Sequence, residues 1–111
     1  MNKAEEHKDP GVIVGVDGTE TALRAVRWAV AEARSRNLPL TIVHAAPYAT
    51  DTIGRRRVAS ILARAYTVAF RQAPDVSMHT ERVVEQPLNA LLDAADRAAL
   101  LVVGMMGGDR V

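Results

Sequence analysis

Short apolar runs and longer stretches of helical period alternate along the chain. Four apolar or alternating runs are predicted to form strands, at 12–17, 40–45, 76–84 and 100–104. Apolar residues that recur every three or four positions predict three helices, one ending near Arg36, one over 55–71 and one starting at Pro87. The predicted order is therefore βαβαβαβ, in which each helix links two strands.

Polar and conformationally special residues mark the ends of these elements. Thr19 or Thr21 can cap the first helix, and Asn37 provides its C-terminal stop. Residues 46–54 are predicted to be a loop, with Gly54 as a breaker. The third strand alternates imperfectly between apolar and polar residues, which favours a place near an edge of the sheet.

The third helix is predicted to bury a leucine-rich face against the sheet. The residues assigned to that face are Leu88, Leu91, Leu92, Ala95 and Ala99. The charged residues between them, Asp93, Asp96 and Arg97, are expected to face water.

The repeated strand–helix–strand unit determines the predicted fold class. Such a crossover joins parallel strands with a right-handed connection. The chain is therefore expected to form an α/β fold, with a doubly wound, mostly parallel sheet. A length of 111 residues suits one domain, which we place at residues 11–111. The polar segment 1–10 is interpreted as a flexible N-terminal tail.

The composition of the chain limits which partners and which cellular compartment we expect. The formal net charge of +1 gives no electrostatic case for a nucleic-acid or acidic-membrane partner. The chain has no cysteine, so disulfides and thiolate metal sites are excluded. No apolar run approaches the roughly 20 residues of a membrane span. These features together predict a cytoplasmic protein.

Two loops that follow buried strands are the candidates for chemistry. They are Asp17-Gly18-Thr19, after the first strand, and the glycine-containing segment 104–108, after the fourth. Glycines at such a position let the backbone approach a phosphate closely, and a neighbouring carboxylate can bind a ribose hydroxyl or a phosphate-held metal ion. In the alternative interpretation the glycines only form turns and Asp17 only caps a helix. Neither GxGxxG nor GxxxxGK[ST] is present.

Two further features have a structural and a functional interpretation. His44, in the second strand, is interpreted as a packed, hydrogen-bonded core histidine, because no nucleophile or acid near it in sequence suggests a triad. Arg55-Arg56-Arg57 is predicted to open the second helix, where the helix dipole disfavours cations. That local conflict indicates either an anion contact or a helix that begins elsewhere.

The element order and four segments together resemble the universal stress protein family. The segments are VIVGVDGT at 12–19, TIVHA at 41–45, Pro87 with Leu91-Leu92, and LLVVGMMG at 100–107. The resemblance implies a Usp-like, adenine nucleotide alpha hydrolase-like sheet, usually of five strands in the order 3-2-1-4-5, of which four are present here. It also implies a cytoplasmic, often homodimeric protein of the stress response.

The resemblance further implies an adenine nucleotide ligand, most often ATP, with Mg²⁺ where phosphates hold it. Asp17 is then expected at the ribose or the metal–phosphate region, where it would be a metal ligand, and Val43 is expected beside the adenine. The nucleotide-binding residues implied in this way are Asp17, Gly18, Thr19, Val43, Val103, Gly104 and Gly107. The resemblance gives no catalytic residue, so the expectation is a binding protein with at most weak nucleotide hydrolysis.

The chain departs from the family pattern after Gly107. Nucleotide-binding members carry Gly-x-x-Gly and, further on, Gly followed by Ser or Thr; Gly104-Met105-Met106-Gly107 matches only the first part. The chain is therefore expected to be either a fragment or a shortened member with an incomplete phosphate loop. An alternative function follows from the same departure, namely an oligomeric interaction or regulatory module that binds no nucleotide.

Overall fold

Four parallel strands and three helices alternate in the computed structural model, which describes residues 11–104. The elements are β1 Val12–Gly15, α1 Glu20–Arg36, β2 Leu40–Ala45, α2 Thr52–Gln72, β3 Met78–Val83, α3 Pro87–Arg97 and β4 Leu100–Val103. The predicted tail at 1–10 and the predicted ligand residue Gly107 lie outside the described residues. The order of elements agrees with the prediction, and three strands are one to three residues shorter than expected.

The sheet order is β3-β2-β1-β4, with every pair parallel. Val12 of β1 pairs with Leu40 on one side and with Leu100 on the other, so β1 is an inner strand. β3 lies at an edge, as its imperfect alternation predicted. The α/β fold and its parallel sheet are thereby confirmed.

The two faces of the sheet are covered by different helices. Val12, Val14 and Ile42 belong to a core cluster that includes the buried residues of α1 and α2. Ile13 and Val43, of opposite parity, pack with Ala94 of α3 in a second cluster. Helices on both faces explain why β1 is apolar at every position rather than at alternate ones.

The ends of α1 follow from its sequence. The hydroxyl of Thr19 accepts a hydrogen bond from the Ala22 amide at 3.2 Å, so Thr19 rather than Thr21 is the N-cap. Asn37 ends the helix in the left-handed conformation, with φ of 60°. Asn tolerates that conformation better than most residues, which is why it could be predicted as the stop.

The predicted start of α2 at Arg55 was wrong, because the helix begins at Thr52. Asp51 caps it, accepting a hydrogen bond from the Gly54 amide at 2.8 Å. Gly54 is buried in the first turn, where an added Cβ would lie 2.9 Å from the Cα of Ala49. Close packing, rather than a turn, explains this glycine. The arginine triplet consequently starts at the fourth helical position, so Arg56 and Arg57 lie beyond the first turn and their conflict with the helix dipole is reduced.

The predicted buried face of α3 was also wrong. Leu88 and Leu92 are 67% and 58% exposed, whereas Ala90 and Ala94 are buried. Two alanines one turn apart let the helix backbone approach the sheet, and the leucines then fall on its flanks. Of the predicted leucines, only Leu91 is half-buried.

Neither long helix of the fold has the character of a membrane span. Among residues 11–104, no helix is both long enough and apolar enough to cross a bilayer.

Candidate functional site

A cleft opens at the carboxyl ends of three strands, beneath α3. It encloses about 640 Å³ of space, part of it open to solvent. Its described lining is Ile13, Gly15, Val16, Asp17, Val43, Ala45, Pro87, Ala90, Leu91, Ala94, Leu101, Val103 and Gly104. These residues come from β1, β2, α3 and β4, so the cleft is assembled by the sheet order rather than by one segment.

The course of the chain explains why the cleft forms here. β1 connects to β2 on one side, while β4, its other neighbour, is reached only after two further crossovers. The chain thus runs outward from β1 to β3 and then crosses back to β4 on the other side of β1, and open α/β sheets leave a crevice at such a reversal of strand order. The pairs Gly15–Val43 and Gly15–Val103 are the last in their ladders, and the cleft begins directly beyond them.

Asp17 provides the charge in the described lining of the cleft. Its Oδ1 accepts hydrogen bonds from the amide and the hydroxyl of Thr19, at 3.0 and 2.6 Å. Its other oxygen, Oδ2, makes no hydrogen bond with a described residue, and the side chain is exposed. The local turn therefore fixes the orientation of the carboxylate and leaves one oxygen for a ligand. Both interpretations of Asp17, turn former and ligand group, are compatible with this geometry.

Apolar side chains form the inner wall of the cleft. Val43 is buried beside Ala94, and Ala90 and Leu91 approach from α3. Val103 at the end of β4 is 40% exposed. A slot with apolar walls and a single carboxylate at its rim suits a flat ring system that carries hydroxyl groups.

Gly104 is held against the first turn of α1. A Cβ added there would lie 2.8 Å from the Thr21 carbonyl oxygen and 3.2 Å from the Cα of Ala22. Both atoms belong to the backbone, so no side-chain movement relieves the contact. A glycine is therefore required where the chain leaves β4 and passes Asp17.

The predicted site residues divide into two groups. Asp17, Val43, Val103 and Gly104 line the cleft together. Gly18 and Thr19 lie on the opposite flank, in a groove between α1 and α2 that includes Ile61. Gly18 has φ of +91°, so it serves the turn, and Thr19 serves the helix cap.

His44 is buried and hydrogen-bonded, as predicted, with 5% of its surface exposed. Its Nδ1 lies 2.7 Å from the carbonyl oxygen of Val16, and its Nε2 lies 2.6 Å from the hydroxyl of Tyr48. The ring points to the α1–α2 side of the sheet and does not line the cleft.

Two arginines of α2 have described partners. Arg64 pairs with Glu20, and the Arg57 guanidinium lies 5.9 Å from the centre of the Tyr48 ring. The described lining of the cleft includes no Lys or Arg. Within 11–104, no group of three or more His, Cys, Asp or Glu is arranged to hold a metal ion. One carboxylate suits Mg²⁺ only where phosphates and water supply the other ligands.

A comparison with family models identifies the chain. The model described as the universal stress protein family matches residues 11–110. The chain belongs to this family. The resemblance to this family, which rested on four separate segments, is therefore confirmed over nearly the whole length of the chain.

Curated relatives of this universal stress protein come from mycobacteria. One universal stress protein of Mycobacterium tuberculosis is 33% identical over 111 residues, covering 93% of this chain and 40% of the relative. Another from that organism is 32% identical over 116 residues, covering 90% of this chain and 39% of the relative. The chain thus spans about two fifths of the length of these relatives.

Solved structures share the fold. A universal stress protein from Archaeoglobus fulgidus superposes with a TM-score of 0.76 at 22% identity, covering 87% of this chain and 77% of that one. A second structure, a universal stress protein in complex with cAMP, superposes with a TM-score of 0.71 at 32% identity. The superposition covers 83% of this chain and 69% of the chain solved with cAMP.

Several residues of the cleft were not predicted from the sequence of this family member. Gly15 pairs with both Val43 and Val103, so register alone places it in the site once the sheet order is known. Ala90 and Leu91 enter through the orientation of α3, which the leucine pattern misplaced. No signal in the sequence distinguishes these alanines and leucines from ordinary core residues.

Proposed function

We propose that this universal stress protein binds an adenine nucleotide in the cleft beneath α3. The observation that carries the proposal is the apolar lining of the cleft together with the Asp17 oxygen at its rim, which makes no hydrogen bond with a described residue. The base lies between Val43 and α3, and a ribose hydroxyl donates to Asp17. The relative solved in complex with cAMP, at 32% identity, supports this class of ligand.

ATP with Mg²⁺ is part of the proposal. The described lining offers no cation to balance three phosphates. Mg²⁺, where bound, would be held by the Asp17 carboxylate together with the nucleotide, and it would neutralise part of the phosphate charge. ATP affinity is therefore expected to fall when Mg²⁺ is chelated, whereas cyclic AMP affinity is expected to change little.

Calorimetric titration tests this function directly. ATP, ADP and cyclic AMP are titrated into the wild-type protein and into Gly15→Val, whose added methyl groups project into the cleft towards Leu91. Ala31→Val, on the exposed outer surface of α1, is the matched control. Binding by the wild type and the control, with loss in Gly15→Val, is expected. Absence of heat at about millimolar nucleotide with folded wild-type protein overturns the proposal.

The proposal is for binding without efficient turnover. Asp17 is the one candidate general base in the described lining, and no arginine there faces the phosphates. ATP hydrolysis at or near the uncatalysed rate is the expected result. Turnover that disappears in Asp17→Ala would contradict this part of the proposal.

The exposed residues beside the cleft favour a second candidate function, as an interaction module that assembles without nucleotide. Val84, Leu88 and Leu92 are all more than half exposed. Within residues 11–104, β4 pairs on one side only. Light scattering with and without ATP distinguishes the two candidate functions. A homo-oligomer whose mass is the same with and without ATP, together with no heat of nucleotide binding in the titration, favours the interaction module.

A further inference from the structure

The carbonyl oxygen of Val16, the residue before Asp17, is held by a side chain rather than by the sheet. The β1–β2 ladder ends at the Gly15–Val43 pair, after which the Val16 amide donates to the Val43 carbonyl at 2.9 Å. In a continued parallel ladder, a main-chain amide of β2 would donate to the Val16 carbonyl. Here the Nδ1 of His44 lies 2.7 Å from that oxygen instead.

These contacts determine the tautomer of His44. A carbonyl oxygen only accepts hydrogen bonds, so Nδ1 carries a proton and donates it to Val16. Nε2 lies 2.6 Å from the hydroxyl of Tyr48, which can donate to it when Nδ1 carries the single ring proton. With 5% of the residue exposed, water does not replace either partner.

Tyr48 is itself held in place by contacts with β2 and α2. It lies in the loop between β2 and α2, with its ring edge-on to His44 at a centroid separation of 5.8 Å. The guanidinium of Arg57 lies over its ring. A continuous set of contacts therefore runs from α2 through Tyr48 and His44 to the residue that precedes Asp17.

We propose that His44 and Tyr48 are positioning residues for the adenine nucleotide cleft. His44, held in its Nδ1–H tautomer by Tyr48, fixes the Val16 carbonyl and with it the direction of the turn that presents Asp17. Neither side chain lines the cleft, so both act through Asp17. The inference rests on the proposed nucleotide binding.

The variant Tyr48→Phe isolates the tautomer contact. It keeps the ring, its packing on His44 and its contact with Arg57, and it removes only the hydroxyl. Tyr66→Phe is the matched control, because Tyr66 is also a partly exposed tyrosine and its described contact is ring stacking on Phe70. We expect Tyr48→Phe to weaken cyclic AMP binding about fivefold, the equivalent of one net hydrogen bond. Tyr66→Phe is expected to match the wild type.

Substitutions of His44 separate positioning from packing. The side-chain amide nitrogen of His44→Asn occupies the place of Nδ1 and can still donate to Val16. His44→Leu fills the space without a donor and leaves the carbonyl unsatisfied. We expect His44→Asn to bind cyclic AMP within about threefold of the wild type, and His44→Leu to lose about tenfold or more. Affinities are compared at a temperature at which circular dichroism shows each variant folded, and Tyr48→Phe carries the test if His44→Leu does not fold.

The closing experiment measures the tautomer and the affinity together. Ring nitrogen chemical shifts of His44, assigned by their absence in His44→Asn, are expected to show protonated Nδ1 in the wild type and a smaller share of that form in Tyr48→Phe. An Nε2–H ring in the wild type, or wild-type affinity in both Tyr48→Phe and His44→Leu, overturns the positioning role while the proposed function stands. Wild-type protein that binds no nucleotide overturns the function itself, and the positioning role with it.

Discussion

At the scale of single residues, the presence of glycine at three positions around the cleft has three different physical explanations. Gly18 is required by its positive φ, and Gly104 by the backbone of α1 that passes within contact distance. Gly15 has neither constraint, because an added Cβ there meets only the Leu91 side chain, at 3.7 Å. Its small size leaves space in the cleft, which the proposed ligand would need and which folding does not require.

Gly104→Ala and Gly15→Ala are therefore expected to differ in stability. The added methyl at 104 forces the end of β4 away from α1, at a cost of about 1–3 kcal/mol in the free energy of unfolding. Gly15→Ala is expected to be within about 0.5 kcal/mol of the wild type, or more stable, because alanine suits a strand better than glycine. Urea denaturation monitored by circular dichroism measures both. Equal loss at the two positions would contradict the packing of Gly104.

Asp17→Asn tests the charge at the rim of the cleft. The amide oxygen still accepts the hydrogen bonds of Thr19, so the turn is preserved while the negative charge is lost. We expect Mg²⁺-ATP affinity to fall about 10- to 100-fold, as for other hydrogen bonds that involve a charge. Asp96→Asn, on the exposed side of α3, is the control. Titration calorimetry gives both affinities, and an unchanged value in Asp17→Asn would place the ligand elsewhere.

At the scale of the elements, helix ends were predictable where one side chain acts on its own neighbours. Thr19 and Asn37 are of this kind. The start of α2 was not, because Gly54 is explained by its contact with Ala49 rather than by its own conformation. The rotation of α3 was missed for a similar reason: the sheet selects Ala90 and Ala94 over larger leucines, and only the tertiary contact shows this.

Asp51→Ala tests how much the N-cap of α2 contributes to the free energy of unfolding. Loss of the side-chain acceptor for the Gly54 amide is expected to cost about 1 kcal/mol of unfolding free energy. Asp75→Ala provides the comparison, because the contact of Asp75 within residues 11–104 is an exposed ion pair with Arg34, which is worth less than about 1 kcal/mol. Thermal and urea unfolding measure the loss of stability in each variant. A smaller loss in Asp51→Ala than in Asp75→Ala would argue against the observed helix start.

The beginning of α3 carries an expected pH dependence. A hydrogen bond with the Asp93 side chain, together with desolvation and the negative charge of Asp93, raises the pKa of Glu85 above its ordinary 4.5. Folded protein then holds this proton more tightly than unfolded protein does. Stability is consequently lost as the pH rises from about 4.5 through the raised pKa.

Asp93→Asn removes the charge that opposes ionisation of Glu85. Its stability relative to the wild type is expected to increase as the pH rises from the ordinary carboxyl range towards neutrality. Asp96→Asn is expected to show no such trend. Urea denaturation across that range measures the difference, and a flat difference for Asp93→Asn would contradict the contact with Glu85.

At the scale of the whole molecule, the fold was largely predictable and the cleft only in part. Four apolar or alternating runs joined by helices were enough to predict parallel strands and to place Asp17 at a strand end, because connection rules leave few alternatives. The order of the strands was implied by the family resemblance. The cleft wall was not predictable, since it depends on register across three strands and on how α3 is turned. His44 was correctly predicted as a core residue, but its partner Tyr48 became visible only in the folded chain.

The most direct test of nucleotide binding is a map of amide chemical shifts during titration with cyclic AMP. A cleft beneath α3 predicts that the changes concentrate at 15–17, at Val43 and Ala45, at Ala90 and Leu91, and at Gly104. Amides on the outer surface of α1, around Trp28, are expected to stay unchanged. Saturating shifts confined to the cleft residues would support the proposed site. No shift at about millimolar ligand, or shifts confined to the surface of α1 and α2, would contradict it.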